Sequence, residues 1–272
     1  MTPAFDPNTI RDLYKAPLDS RGEDNGQITI IGGSKLFHGA PLFSLTVASK
    51  IVDMVFFGTP DKSVGKVAEN LKSKLLSFIW IPWDEVGEYI KKSEVVLIGP
   101  GFMSFRSEKD KSVVEKTKEI TKELLTKHKD KKWVIDAGSL QVMEPQWIPE
   151  GSILTPNTKE YAGLFGNSIP SEIAQKYKCI IVLKGPITLV VTPKESFEIG
   201  GGNAGLTKGG TGDVLAGLTA ALAAKNDMTL AALCASYITK AAGDKLYKGV
   251  GTNYSAEDLA AIVPTVLNEL SK

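Results

Sequence analysis

The chain contains 272 residues, of which 43% are hydrophobic, and its 32 basic residues nearly balance its 31 acidic ones. A chain of this length and apolar content can build one large core, and balanced charge argues against nucleic acid or an anionic membrane as partner. No segment approaches the roughly 20 apolar residues of a membrane span, and the polar N-terminus is unlike a signal peptide. We therefore expect a small-molecule partner, with no nucleic acid and no membrane involved.

The two cysteines, Cys179 and Cys234, each lie in an apolar run. Their spacing suggests neither a metal site nor a disulfide framework, so they predict buried thiols in a reducing cytoplasm. The chain also has only two histidines, His38 and His128. So few histidines argue against a histidine-based metal site and against a Ser-His-Asp triad.

Short apolar runs bounded by turn residues alternate with longer amphipathic segments along the chain. Eight of these runs predict strands, in the order "QITIIGG", "DMVFFG", "LLSFIWI", "EVVLIGPG", "KWVIDAG", "SILTP", "CIIVLKG" and "ITLVVT". The alternation predicts an α/β fold with a parallel sheet covered by helices. No internal repeat, low-complexity tract or linker is visible, so we expect a single compact domain.

The clearest helical pattern between the strands covers residues 107–128. Val113, Thr117, Ile120 and Leu124 form its apolar stripe, under a face rich in lysine and glutamate. His128 ends this helix, where a cation suits the helix dipole, so we interpret it as structural.

The last third of the chain is almost wholly helical by pattern. Residues 213–224 place apolar side chains on one side, and Asp227 is predicted to cap a second helix that runs to about residue 248. Ser255, with Asp258 three residues later, has capping-box spacing and predicts a third helix despite Pro264.

The segment "GGNAGLTKGGTGDVLAG", residues 201–217, joins a glycine-rich loop to the first of these helices. Glycines at positions 200, 201, 202, 205, 209, 210 and 212 remove side chains where a polyphosphate approaches the backbone, and they permit positive φ angles. The amides and dipole at the start of the following helix favour an anion at the same place. The segment therefore predicts a phosphate site around Thr211, Gly212 and Asp213.

Asp213, in the first turn of that helix, has two interpretations. It can be a helix-capping carboxylate favoured by the dipole, or a base that takes a proton from a substrate hydroxyl beside bound phosphates. The Walker pattern G-x-x-x-x-G-K-[ST] and the Rossmann G-x-G-x-x-G pattern are both absent. The loop therefore indicates phosphoryl transfer on a different scaffold.

An ordered set of motifs carries a family resemblance. The segments "GGSKLFHGAP", "LIGPG", "VIDAGSL", "ILTPNTKE", "VLKGPITLV" and "GNAGLTKGGTGDVLAG" occur in this order. Together they resemble the nucleotide-dependent NAD(P)H-hydrate dehydratases of the ribokinase-like superfamily. The resemblance implies a single domain over 27–272, with 1–26 as an N-terminal extension or helix. It also implies a central, mostly parallel sheet flanked by helices on both faces.

The activity implied by the resemblance is repair of a damaged cofactor. Such enzymes use ADP or ATP to phosphorylate the ring hydroxyl of (6S)-NADHX or (6S)-NADPHX, and phosphate then leaves to regenerate NADH or NADPH. Mg²⁺ accompanies the nucleotide, and stand-alone members make ADP our preferred donor. The family also suggests a homo-oligomer, commonly a tetramer, and no fused epimerase domain is expected.

The resemblance assigns candidate site residues. It makes Asp213 the catalytic base, and Asp213 also joins the substrate residues Ala40, Gly101 and Asn157. No metal ligand is assigned directly, although Asp136 is available for a water-mediated contact. The expected nucleotide-binding residues are Lys184, Gly185, Pro186, Ile187, Thr188, Asn203, Ala204, Gly205, Gly210, Thr211 and Gly212.

Two positions depart from the family pattern. Asn157 stands where the family has histidine, and Gly138 stands where it commonly has a second acidic residue. Asparagine forms hydrogen bonds but carries no proton that titrates near neutral pH. These departures keep two other functions open: a ribokinase-like kinase acting on a vitamin precursor or sugar, and a nucleotide-binding protein without turnover.

Overall fold

Residues 2–71, 77–104 and 110–272 are described by a computed structural model of the chain. Its strands are β1 (Gln27–Ile31), β2 (Met54–Gly58), β3 (Ile79–Trp80), β4 (Val95–Ile98), β5 (Lys132–Ile135), β6 (Ile153–Leu154), β7 (Ile180–Leu183), β8 (Thr188–Val191) and β9 (Ser196–Ile199). Its α-helices are α1 (Gly39–Ala48), α2 (Lys62–Leu71), α3 (Val86–Lys92), α4 (Lys111–Lys127), α5 (Ala137–Val142), α6 (Thr158–Phe165), α7 (Pro170–Tyr177), α8 (Thr211–Lys225), α9 (Met228–Val250) and α10 (Ala256–Leu270).

The described strands form one sheet in the order β3-β2-β1-β4-β5-β6-β7-β8-β9. Pairing is parallel from β3 to β7, and β8 and β9 then add antiparallel to the edge. The eight predicted strands are present, although Leu75 and Leu76 of the third lie outside the described residues. Strand β9 was missed because "SFEI" is short and half polar. Strand order reverses between β1 and β4, where ligands of such sheets commonly bind beyond the carboxyl ends.

Helices cover both faces of the sheet, as the resemblance predicts. Ile28, Ile30 and Leu97 point to the face on which α1, α8, α9 and α10 pack. Ile31, Val96 and Ile98 point to the opposite face, which α3 to α7 cover. Each inner strand is apolar on both sides because both sides are buried, which is why these runs show no polar alternation.

The predicted helix over 107–128 corresponds to α4, and its first three residues lie outside the described part of the chain. The predicted apolar stripe was wrong at Val113, which is 39% exposed. Thr117 and Leu124 are buried as predicted, and Ile120 packs partly buried against the core. Val114, Thr121 and Leu125 are also buried, so the buried face of α4 is wider than the predicted stripe.

His128 follows α4 as predicted, but the charge assigned to it was wrong. The side chain is buried, and burial lowers its pKa, so the imidazole is neutral at pH 7. Its role at the end of α4 is packing rather than completion of a helix dipole. The backbone of His128 also contributes, because its carbonyl accepts a hydrogen bond from the Trp133 indole at 2.9 Å.

The helix starts predicted for the last third are confirmed. Asp227 Oδ1 accepts from Thr229 N at 2.8 Å at the start of α9, and Ser255 with Asp258 forms a reciprocal capping box at the start of α10. Pro264 lies inside α10 and cannot donate to the Ala260 carbonyl. Lys50 Nζ, from just beyond α1, donates to that carbonyl instead at 3.2 Å.

The N-terminal segment packs on the domain. At the β9 edge, Phe5 N donates a hydrogen bond to the Glu198 carbonyl at 3.0 Å. A 3₁₀ helix over Pro7–Asp12 buries Ile10, and Leu13 is buried next to it. No helix among the described residues is long and apolar enough to cross a membrane.

Candidate active site

A cavity of about 590 Å³ lies between the loops that follow β6, β7 and β9 and the helices α8 and α9. Its described lining includes two lysines, Lys184 and Lys240, and no carboxylate. The lining residues are Asn157, Lys184, Gly185, Pro186, Thr188, Gly201, Gly202, Asn203, Ala204, Leu206, Thr207, Thr211, Gly212, Leu215, Ser236, Thr239 and Lys240. The cavity is large enough for a nucleotide, and its charges favour an anion.

The first turn of α8 opens onto this cavity. Gly210, the N-cap, has φ +94°, and a Cβ there would lie 2.5 Å from the Phe43 ring, so both backbone shape and packing require glycine. The amides of Gly212 and Asp213 have no backbone acceptor within the described chain. A helix start with unsatisfied amides and the positive end of the dipole is suited to phosphate oxygens.

Asp213 lies in that first turn and is half-buried. The Ser44 hydroxyl of α1 donates to the Asp213 carbonyl at 2.7 Å and fixes the backbone there. Burial and the charge of Asp136 raise the pKa of the Asp213 carboxyl to about 7, against a smaller lowering by Lys184. A carboxyl with this pKa can accept a proton near neutral pH, which is the property a general base needs.

Beside Asp213, the ends of β5, β6 and β7 bring together a buried charged cluster. Lys184 Nζ lies 2.9 Å from Asp136 Oδ1, and the Thr155 hydroxyl donates to the same oxygen at 2.8 Å. Burial alone lowers the pKa of Lys184, but Asp136 and Glu160 outweigh it and raise that pKa. Burial raises the pKa of Glu160. Lys184 thus stays charged while two of the neighbouring carboxyls are biased towards protonation.

A chain of side-chain hydrogen bonds links this cluster to the loop after β4. The Ser104 hydroxyl donates to Gln141 Oε1 at 2.6 Å, and Gln141 Nε2 donates to Glu160 Oε1 at 3.0 Å. The backbone N–H of Asn157 donates to the other oxygen of Glu160 at 2.9 Å. Both oxygens of this buried carboxyl are therefore engaged, one by α5 and one by the start of α6.

Asn157, where the family pattern has histidine, caps α6. Its Oδ1 accepts from the amides of Lys159 and Glu160 at 2.9 and 3.0 Å, completing a capping box. The residue also lines the cavity. Its side-chain oxygen already accepts hydrogen bonds from the helix start. In this geometry only its side-chain NH2 group is left to donate to a ligand.

The second predicted region, around Ala40 and Gly101, lies at the reversal of strand order. Gly101 has φ +73°, and a Cβ there would lie 2.3 Å from the Phe37 carbonyl and 3.0 Å from Pro41. Ala40 precedes Pro41 in the first turn of α1, so the two predicted substrate residues are neighbours. They lie outside the lining of the cavity described above.

Gly138 is also held by close packing. A Cβ there would lie 2.3 Å from the Phe102 carbonyl, in a turn where the preceding Ala137 already has φ +47°. The backbone of this chain therefore has no room for the acidic side chain that the family commonly carries. In place of an acidic side chain, this position has a close contact between the loops after β4 and β5.

The predicted nucleotide residues do not all reach the cavity. Lys184, Gly185, Pro186, Thr188, Asn203, Ala204, Thr211 and Gly212 line it. Ile187 and Gly210 do not, and Ile187 is 59% exposed. Gly205 packs against Tyr254, whose ring would be 2.4 Å from an added Cβ. The glycine at 205 thus serves loop packing, in contrast to the expectation that every glycine of the loop opens the backbone to phosphate.

Sequence reasoning missed Lys240 and Asp244, which lie one turn apart on α9 beside the cavity. Lys240 is 7% exposed, and Asp244 Oδ2 accepts from the Gly202 amide at 2.9 Å. A signal was present: Lys240 interrupts the run of apolar and small residues "AALCASYITKAAG". A lysine on the buried face of a helix needs acceptors nearby.

The nine-stranded, mostly parallel sheet that the described residues form, with helices on both faces, is a ribokinase-like α/β fold. A structure titled a ribokinase-like superfamily protein, from Enterococcus faecalis, aligns with a TM-score of 0.84 at 23% identity, over 99% of this chain and 96% of that one. The ADP/ATP-dependent NAD(P)H-hydrate dehydratase of Bacillus subtilis, co-crystallised with ATP and Mg²⁺, aligns with a TM-score of 0.80 at 23% identity over 99% of both chains. The predicted fold is confirmed.

The chain belongs to the NAD(P)H-hydrate dehydratase family, whose model matches residues 28–265. It is 35% identical to the bifunctional NAD(P)H-hydrate repair enzyme Nnr of Methanocaldococcus jannaschii, over 95% of this chain and 51% of that protein. It is 28% identical to the ADP-dependent (S)-NAD(P)H-hydrate dehydratase of Cenarchaeum symbiosum, over 93% of this chain and 92% of that protein. The chain thus spans about half the length of the bifunctional relative.

Proposed function

We propose that this protein uses ADP or ATP to dehydrate (6S)-NADHX or (6S)-NADPHX and so restores NADH or NADPH. The observation that carries the proposal is Asp213, a carboxyl with a pKa of about 7 in the first turn of a helix that opens onto a nucleotide-sized cavity. Membership of the dehydratase family supports the substrate. The names of the relatives from Cenarchaeum symbiosum and Bacillus subtilis support the nucleotide.

The proposed reaction starts with the substrate's ring hydroxyl. Asp213 accepts the hydroxyl proton while the oxygen attacks the terminal phosphorus of the nucleotide, and the bond from that phosphorus to its bridging oxygen breaks. The rest of the nucleotide leaves as AMP when ADP is the donor, or as ADP when ATP is the donor. The amides of Gly212 and Asp213 stabilise charge on the transferred group. The phosphorylated ring then loses phosphate together with a ring proton, and the reduced nicotinamide forms.

Lys184 fits a role in holding the transferred phosphoryl group. Its ammonium has three N–H donors, and one of them is used by Asp136 within the described residues. The Nζ atom lies 3.3 Å from the position of a Cβ on Gly212, which places the charge at the start of α8. A lysine held there by Asp136 is a fixed positive charge beside the phosphate site.

Mg²⁺ is part of the proposal, since the donor set fits it. Among the described residues no group of three His, Cys, Asp or Glu side chains converges as a metal site. Magnesium is commonly bound by one or two carboxylates together with substrate phosphates and water, so a protein cage is not required. Asp136 is the carboxyl available for a water-mediated contact, because both oxygens of Glu160 already accept hydrogen bonds from the protein. When bound, the ion neutralises charge on the phosphates.

The proposal includes the cytoplasm as location and a homo-oligomer, such as a tetramer, as assembly. The free, buried thiols of Cys179 and Cys234 are consistent with a reducing compartment. Sedimentation of the purified protein tests the assembly, where a monomer at all concentrations would contradict it.

The function is tested by incubating the protein with NADHX and either ADP or ATP, while absorbance of the reduced nicotinamide is followed. We expect NADH to return only when nucleotide and Mg²⁺ are both present, with inorganic phosphate released in equal amount. A kinase that keeps its phosphorylated product would release no phosphate. If no NADH returns with any nucleotide, the dehydratase proposal is wrong.

A further inference from the structure

Lys240 lines the cavity, yet its ammonium is fully engaged by the protein. Lys240 Nζ donates to the carbonyls of Gly185, Pro186 and Gly201 at 3.2, 2.7 and 3.0 Å. An ammonium has three N–H donors, and three acceptors lie within hydrogen-bond distance. This distinguishes Lys240 from Lys184, which has donors to spare for a phosphate.

The three carbonyls belong to two separate loops. Gly185 and Pro186 lie between β7 and β8, and Gly201 follows β9. Both loops form walls of the cavity. A single side chain from α9 therefore joins the two walls, and it does so through backbone groups rather than through other side chains.

Asp244, one turn further along α9, completes this arrangement. Its Oδ2 accepts from the Gly202 amide at 2.9 Å, and its Oδ1 accepts from Asn203 Nδ2 at 3.3 Å. Gly201 and Gly202 have φ +79° and +81°, a conformation that glycine adopts without steric cost. Glycine also has more backbone conformational freedom than other residues, so ordering it costs more entropy. Hydrogen bonds to Lys240 and Asp244 remove that freedom before any ligand arrives.

We propose that Lys240 and Asp244 are positioning residues that hold the two loop walls of the nucleotide cavity in their binding geometry. The inference rests on the proposed function, because it assigns the cavity to a nucleotide. Holding the loops in advance lowers the entropy lost on binding, so loss of Lys240 should loosen both loops in the ligand-free protein and weaken nucleotide binding. Chemistry at Asp213 is left largely unchanged once the nucleotide is bound.

The test compares Lys240→Met with Lys248→Met, the same change at an exposed position two turns further along α9. Hydrogen exchange is measured on the ligand-free proteins, and ADP binding is measured by calorimetry. For Lys240→Met we expect faster exchange in peptides covering 184–188 and 200–206, unchanged exchange in 132–135, and ADP binding about tenfold or more weaker. Lys248→Met should match the wild type in hydrogen exchange and in ADP binding.

Kinetics separate positioning from catalysis. The KM for nucleotide should rise by about the same factor as the dissociation constant, while kcat stays within about threefold. Asp244→Asn, at a half-buried position, provides a milder second variant if Lys240→Met folds poorly, and it should raise exchange in 200–206 alone.

The outcomes separate the inference from the function it rests on. Wild-type exchange and wild-type ADP affinity in Lys240→Met would overturn the positioning role even if the wild type is an active dehydratase. A fall in kcat with unchanged KM would also overturn it, since Lys240 would then act on the reacting groups. Failure of the wild-type protein to bind ADP at all would instead contradict the proposed function.

Discussion

Lys184 Nζ lies 2.9 Å from Asp136 Oδ1, and this ion pair sits next to the carboxyl of Asp213. The two partners act on Asp213 in opposite directions. The negative charge of Asp136 raises the pKa of Asp213, and the positive charge of Lys184 lowers it. Burial is the largest cause of the raised pKa of Asp213, and the ion pair adjusts that pKa further, so both affect the pH at which the proposed base becomes available.

The rate of NADH recovery should depend on pH through Asp213. A base must be deprotonated to act, so the rate should rise about tenfold per pH unit below a midpoint near the pKa of about 7, and then level off. Asp136→Asn should move the midpoint down, because it removes the charge that raises that pKa. Lys184→Met should move it up for the opposite reason.

The midpoint of kcat/KM, rather than the maximal rate, is the quantity to compare, because Lys184 is also proposed to contact phosphate. The comparison requires kcat/KM to be measured from roughly pH 5 to pH 9 in the wild type and in both variants. Identical midpoints in wild type, Asp136→Asn and Lys184→Met would show that another group titrates.

Asp213→Asn should leave nucleotide binding close to that of the wild type while the rate falls by at least about a hundredfold. Asparagine has nearly the same shape but cannot take the hydroxyl proton. Asp227→Asn is a matched control, since Asp227 caps α9 and asparagine caps helices equally well. Full activity in Asp213→Asn would leave Asp213 with only the helix-capping role that its position in the sequence also allows.

Gly138→Asp should destabilise the protein instead of restoring an active-site acid. The new Cβ would lie 2.3 Å from the Phe102 carbonyl, so the loops after β4 and β5 must separate. Overpacking of this kind costs about 1–3 kcal/mol, measurable as a lower free energy of unfolding in urea.

Gly249→Ala is the control for Gly138→Asp, because a Cβ at residue 249 meets nothing within 4 Å. It should leave stability unchanged or slightly raise it, since alanine is favoured in helices. Unfolding of Gly138→Asp at the wild-type denaturant midpoint would mean that the backbone at residue 138 can move at little cost.

Lys50→Met should destabilise the protein by about 1 kcal/mol, because it leaves the Ala260 carbonyl without the donor that Pro264 cannot supply. In a Pro264→Ala background, the alanine amide can bond to that carbonyl, so the same change should cost less. A double-mutant cycle of unfolding free energies measures this coupling. Equal costs in the two backgrounds would show that Lys50 does not compensate for the proline.

Sequence patterns alone were enough to predict the strands of the inner sheet, the helix starts at Asp227 and Ser255, and the glycine-rich loop that leads into α8. These features depend on neighbours a few positions apart, through burial on both strand faces, capping hydrogen bonds and glycine in a loop before a helix. Sequence patterns also placed Asp213 in the first turn of that helix.

Which side chains meet depended on the folded arrangement of the whole chain. Asp136 and Lys184 are 48 positions apart, and Lys240 reaches carbonyls 54 and 55 positions away. Such contacts follow from the strand order that brings the ends of β5, β6 and β7 to one edge, which no local pattern specifies. The pKa of Asp213 and the joined walls of the cavity arise from these long-range contacts, because burial and neighbouring charge exist only once the chain has folded.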